Sequence, residues 1–331
     1  MSRQTEKSAA VGERWLLLVH QLPPKPAYFR VKIWRRLNDL GAVLIKNAVY
    51  ALPANAETQE DFEWLLREIT EGGGEAAVFE ARLIDGLSDL QVHELFNSAR
   101  DETYHELAEE ARTITGELTR VEPDKRTELK SRLTRLKTRR DQVVAIDFFG
   151  ANGRETADGL IGQIEETLAV EKDTEPMAEP VREIKDLKGR VWVTREGVHV
   201  DRIASAWLIK HFIDTDPSFK FVPARGYVPA AGELRFDMFD AEFTHEGDRC
   251  TFEVLLAHAG LDGDRALQAI AEIVHDIDLK DGKFAREEAA GIKTLIASIC
   301  MATADDEERI ARGKGVLDDL YRYFQKKRGS R

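Results

Sequence analysis

Two cysteines in 331 residues are too few for a disulfide framework or a four-thiolate zinc site, so Cys250 and Cys300 read as buried thiols of a protein kept in a reduced compartment. Long apolar runs are also missing. No stretch approaches the roughly 18 consecutive apolar residues of a membrane span, and the opening MSRQTEKSAAVGERW lacks the apolar core of a secretory signal. The expectation is a cytoplasmic chain with no membrane partner. A surplus of positive charge is absent too: 48 Lys and Arg against 60 Asp and Glu leave a net charge of -12, which repels phosphates and argues against unselective nucleic-acid binding.

The charge that is present is unevenly spread. Residues 1–50 hold nine Lys or Arg against three acids, and residues 120–140 repeat that ratio, with no acid between 129 and 140. At 43% hydrophobic and 33% charged, the chain is long enough for two domains that each bury a core.

The organisation expected is α+β. Residues 1–87 read strand, helix, strand, helix, strand, with Pro23, Pro24, Pro26, Gly41, Pro53 and Gly72 to Gly74 as punctuation. This βαβαβ order fits a ferredoxin-like unit better than a winged helix. In its first helix Phe29, Ile33, Leu37 and Leu40 make an apolar stripe, which leaves Lys32 and Arg35 on the other face. Residues 88–170 read as an antiparallel helical hairpin that turns at RVEPDK, with seams at Tyr104, Leu107, Ala111, Ile114 and Leu118 and at Leu129, Leu133, Leu136 and Val143. A Pro- and charge-rich linker, 171–189, leads to a mostly helical α+β domain over 190–331, with short strands at RVWVT, FKFVPA, ELRFDMF and AEFTHEG.

Polar chemistry concentrates in that last domain. TREGVHVDR, residues 194–202, stands just before an apolar helix; FDMFDAEFTHEGDRCTFE and IVHDIDLKD carry the other acids and histidines. His199, Asp201, His245, His275 and Asp278 supply the N and O ligand types of Zn, Mn or Fe, although no spacing among them is a ligand signature. The bland alternatives are Asp201 as a helix cap, His275 on a helix surface and His245 at a strand end. Arg195 at a strand end and Arg202 in the first turn of a buried helix, joined by His245, form an oxyanion receptor on paper; ion pairing with neighbouring acids is the competing use.

HVDRIASAWLIKHFID, FDAEFTHEGDRCTFE and HDIDLKDGKF resemble the C-terminal domain of ChrB-type chromate-resistance proteins, and WLLLVHQLPPKPAYFRVKIWRRLNDLGAVLIKNAVYALP resembles their N-terminal domain and, more loosely, a domain of PaaX-type repressors. The resemblance implies a chromate-responsive transcription regulator of efflux genes, with DNA binding in the N-terminal half and sensing in the C-terminal half. On that reading Arg30, Lys32, Arg35, Arg36 and Lys46 contact operator phosphates, Arg195, Arg202 and His245 bind chromate or a related oxyanion, and a homodimer meets a palindromic site. The alternative is a metal-dependent enzyme, a hydrolase or a chromate-directed oxidoreductase, built on the His and Asp cluster. A non-catalytic interaction module would explain the charge runs but not the clustered histidines.

Overall fold

Prolines after the first apolar run, and glycines after each helical run, set where the chain turns. In the computed structural model, which describes residues 13–118, 126–169, 187–223 and 226–327, these signals separate β1 (Trp15–Gln21), α1 (Ala27–Asp39), β2 (Val43–Lys46), β3 (Val49–Pro53), α2 (Ala56–Glu71) and β4 (Glu75–Ala81). The four strands form an antiparallel sheet in the order β2-β3-β1-β4. This is the βαββαβ pattern of a ferredoxin-like fold. The run AVLIKNAVYALP, expected as one strand, is instead a hairpin: Asn47 takes φ 52°, a left-handed conformation that Asn tolerates, and folds β2 back on β3.

Phe29, Ile33 and Leu37 of α1 and Phe62, Leu65 and Ile69 of α2 are buried with Leu16, Leu18 and Leu52 of the sheet. Asn55 and Thr58 form a capping box that starts α2. Gly41 ends α1 at φ 72°, and a side chain there would lie 2.7 Å from Ile146 Cβ.

The described residues divide into two compact units, 1–100 with 142–151 and 101–141 with 152–331. Three helices run across this division or follow it: α3 (Asp89–Leu118), α4 (Arg126–Ala145) and α5 (Gly153–Ala169). The turn sequence RVEPDK lies outside the described residues. The expected seam residues of α3 and α4 are buried apart from the partly buried Leu118. Arg132 to Glu117 at 2.5 Å and Arg139 to Glu106 and Glu110 tie the helices in antiparallel order. Much of the basic run of α4 is therefore spent internally, with Lys137 on Glu165 and Arg140 on Asp158.

The rest of the second unit is built on a three-stranded parallel sheet, β5 (Val191–Arg195), β6 (Ser218–Val222) and β7 (Glu233–Arg235), in the order β6-β5-β7. The AEFTHEG segment adds only a single bridge, Phe243 to Phe236, rather than a strand. Between β5 and β6 run α6 (Val200–Leu208) and a π-helical continuation, Ile209–Ile213. Four helices follow: α7 (Thr251–His258), α8 (Arg265–Asp278), α9 (Ala289–Ala302) and α10 (Asp306–Lys326). Trp192, Ile203, Trp207, Phe236, Phe252, Ile270 and Val274 lie in one core, as the all-round apolarity of α6 requires. No helix among the described residues is long and apolar enough to cross a membrane.

Helix α10 approaches α6 so closely at Gly313 that a methyl group there would stand 2.4 Å from Ile203 Cγ2, whereas Gly315 in the same helix faces open space. Gly313→Ala is therefore expected to lower stability by about 1–3 kcal/mol through overpacking. Gly315→Ala should leave it unchanged or raise it by up to about 1 kcal/mol. Urea denaturation of the two variants separates these outcomes.

Candidate functional site

In a parallel sheet, ligands collect outside the carboxyl ends of the strands where the strand order changes direction. Here that point is the end of β5, which has β6 on one side and β7 on the other. Arg195 closes β5, Gly197 turns at φ 73°, and His199 precedes the first turn of α6, which carries Asp201 and Arg202. Asp306, in the first turn of α10, accepts from Gly197 N and Val198 N, both at 2.8 Å, and so pins the loop. Asp237 follows β7 with φ 48°, an unusual backbone state for a residue other than glycine; its carboxylate meets Arg202.

Both arginines are buried and paired. Arg195 Nη2 donates to Glu155 Oε2 at 3.0 Å. Arg202 donates from Nε to Asp237 Oδ2 at 3.1 Å, from Nη2 to Asn152 Oδ1 at 2.7 Å and from Nη1 to the Gly197 carbonyl at 3.3 Å. Asp201 is not the helix cap; as the second residue of α6 it reaches across to α7 and accepts from Thr251 N at 2.8 Å and Phe252 N at 3.0 Å. A carboxylate against two free N–H groups of a helix start is a favourable arrangement.

His245 is the hub of this cluster. Its Nε2 lies 3.4 Å from Asp201 Oδ2, 3.4 Å from Asp237 Oδ1 and 3.3 Å from Asp278 Oδ2, with none of the three placed for a hydrogen bond, while Nδ1 lies 3.2 Å from Thr156 Oγ1. Burial opposes charge on this imidazole, but the carboxylates of Asp201, Asp237 and Asp278 outweigh it and raise its pKa well above the ordinary value. Burial, then repulsion from Asp237, pushes Asp201 up to about 7. Burial likewise pushes Glu155 up to about 7 against the pull of Arg195. Burial opposes charge on Asp237 too, but the nearby His245 and Arg202 charges outweigh it and hold its pKa low.

Of the residues singled out from the sequence, Arg195, Arg202, Asp201, His245 and Asp278 come together. His199 is adjacent, and burial followed by the Arg202 charge lowers its pKa to about 4, which keeps it neutral. His275 turns elsewhere: its side chain is fully buried, with Nδ1 at 2.7 Å from Glu253 Oε2 and Nε2 at 3.2 Å from Asp281 Oδ2. Asn152, Glu155 and Thr156 were not foreseen; they come from α5 and the residue before it, some forty positions upstream of β5, and nothing in their local sequence marks them. Cys250 is buried, and burial followed by the Asp201 charge raises its pKa well above the ordinary value, so it stays a thiol.

The five basic residues expected to meet DNA lie in the other unit. Lys32 and Arg36 both pair with Glu68 of α2, at 2.5 and 3.6 Å. Arg30, Arg35 and Lys46 are exposed and form no ion pair among the described residues.

A family model described as "ChrB, C-terminal domain" matches residues 192–324, and one described as "Protein ChrB, N-terminal" matches residues 30–175. This chain belongs to the ChrB family. The "Protein ChrB" of Cupriavidus metallidurans is 29% identical to it across 95% of this chain and 96% of that protein. No solved structure matches. The C-terminal ChrB match spans β5, α6, Asp237, His245 and Asp278, so this end of the cluster belongs to the ChrB domain itself.

The His275 pair gives a pH signature. Burial disfavours its charged form, but its partners Glu253 and Asp281 raise the folded-state pKa above 6.5. Its stabilising contribution is then complete below the unfolded-state value and fades as pH climbs through the folded-state value. His275→Gln should cost the protein more stability at acidic than at alkaline pH, read from urea unfolding at about pH 5.5 and 8.5. An equal loss at both would exclude a charged His275.

Proposed function

We propose that this ChrB-family protein is a chromate-responsive transcription regulator that meets operator DNA through the outward side of α1 and senses chromate at the end of β5. The observation that carries the DNA half is the composition of α1. Opposite its buried stripe stand Tyr28, Val31, Trp34 and Arg35, with Tyr28 at 71% and Trp34 at 55% exposure; Arg30 flanks them and Lys46 lies at the end of β2. Exposed aromatic rings among unpaired cations suit a phosphate-and-sugar surface, and a homodimer would present two such surfaces to a palindrome. Lys32 and Arg36 contribute less, because Glu68 already neutralises them.

Charge reversal at Arg30 and Arg35 together is expected to weaken binding to the DNA upstream of its own gene at least tenfold and to flatten the log affinity against log salt slope by roughly 2. Lys32→Ala should change both little. Fluorescence anisotropy across a salt series checks this; an unaltered slope in the double variant, with the circular dichroism unchanged, removes α1 as the reading element.

For sensing, chromate is a tetrahedral dianion that planar guanidinium groups bind with charge-assisted hydrogen bonds. To reach Arg195 it must displace Glu155, a competitor whose pKa of about 7 makes it easy to neutralise. Ligand then favours the DNA-free form by the difference in its affinity for the two states. Glu155→Gln should release operator at lower chromate than wild type, and Arg195→Ala or Arg202→Ala should not respond. Release by Arg195→Ala at wild-type chromate concentrations would refute the assignment.

A further inference from the structure

The cluster around His245 contains more negative charge than its arginines can balance. Glu155 offsets Arg195 and Asp237 offsets Arg202, which leaves Asp201 and Asp278 with no arginine of their own, both facing Nε2 of His245. Buried, unbalanced carboxylates are costly unless a cation lies among them. Nε2 itself is buried, has no hydrogen-bond partner among the described residues, and points into the space that the three carboxylates surround.

The distances from Nε2 match those between ligands that share one metal ion. Ligand atoms about 2.0–2.1 Å from a tetrahedral metal stand about 3.3–3.4 Å apart along each edge. The edges from Nε2 to Asp278, Asp201 and Asp237 measure 3.3, 3.4 and 3.4 Å. Asp201, His245 and Asp278 also offer ligand atoms that all lie within 4.8 Å of one another. An outer layer already orients these atoms: Thr251 N donates to Asp201 Oδ2 and Thr251 Oγ1 to Asp237 Oδ1, both at 2.8 Å, and Thr156 holds the far nitrogen of His245. Beside Asp278 a cavity of about 10 Å³, lined also by Thr156, Tyr104 and His105, has room for about one water.

We infer that His245, Asp201 and Asp278 bind one divalent first-row transition-metal ion. The mixed imidazole and carboxylate donors suit Zn²⁺, and the outer hydrogen bonds make Thr156 a positioning residue for His245. The inference goes beyond the regulatory reading and needs neither DNA nor chromate, so the two can fail separately.

The test uses the full chain, stripped with chelator and titrated with Zn²⁺ or Mg²⁺ by calorimetry, with bound metal counted after gel filtration. One equivalent of Zn²⁺ should be retained and Mg²⁺ should bind far more weakly. Asp278→Asn, which removes a ligand that makes no other contact among the hydrogen bonds described, should lower Zn²⁺ affinity at least tenfold; Thr156→Val should lower it about tenfold. Circular dichroism establishes that each variant is folded, and Thr156→Val serves alone if Asp278→Asn does not fold. Retention of well under one equivalent, equal affinity for Mg²⁺, or wild-type affinity in the folded variants would overturn the site.

Discussion

Arg202 carries a charge that it cannot shed, and the fold buries it in the first turn of α6. Much of the surrounding structure answers that constraint. Asp237 must face the guanidinium, which places the chain after β7 in a left-handed turn; Asn152 must reach it from the start of α5; the Gly197 carbonyl must bend back to it. Removing one partner from such a buried pair typically costs about 3–5 kcal/mol, because the other charge stays behind without water. The strand ends, the helix start and α5 are thus held to one another by a single guanidinium as much as by the apolar core.

A second layer of constraint comes from backbone donors. The start of α7 would leave two N–H groups without partners, and Asp201 supplies them; the Gly197 to Val198 loop has the same need, and Asp306 meets it from α10. Asp201, a candidate metal ligand in the sequence, therefore also holds a helix start. A dication among the carboxylates of the site would offset the same charge that otherwise opposes an oxyanion at Arg195.

Some of this was legible in the sequence. The buried stripe of α1 was, because period 3.6 is local and Phe29, Ile33 and Leu37 repeat it; so were the mostly helical character of the C-terminal domain and the burial of α6. The β2–β3 hairpin was not, because one asparagine between two apolar runs decides it and the alternation continues through the turn. Glu155 and Thr156 were not, because their role depends on contacts 40 and 89 residues away. His275 and Asp278 share a helix three residues apart, yet they serve different clusters, a divergence that helical spacing alone does not reveal.

The sequence by itself determined the α+β class, the family, the charge islands and the polar blocks, since composition, periodicity and long motifs are all local properties of the chain. Tertiary structure decided which charges are spent and which are available. Lys32, Arg36 and most of the α4 cations find acids on neighbouring helices, Arg30 and Arg35 find none among the described residues, and His245 meets three carboxylates that arrive from α6, the end of β7 and the end of α8. Pairing between side chains distant in sequence is set by packing, and packing is what a one-dimensional reading lacks.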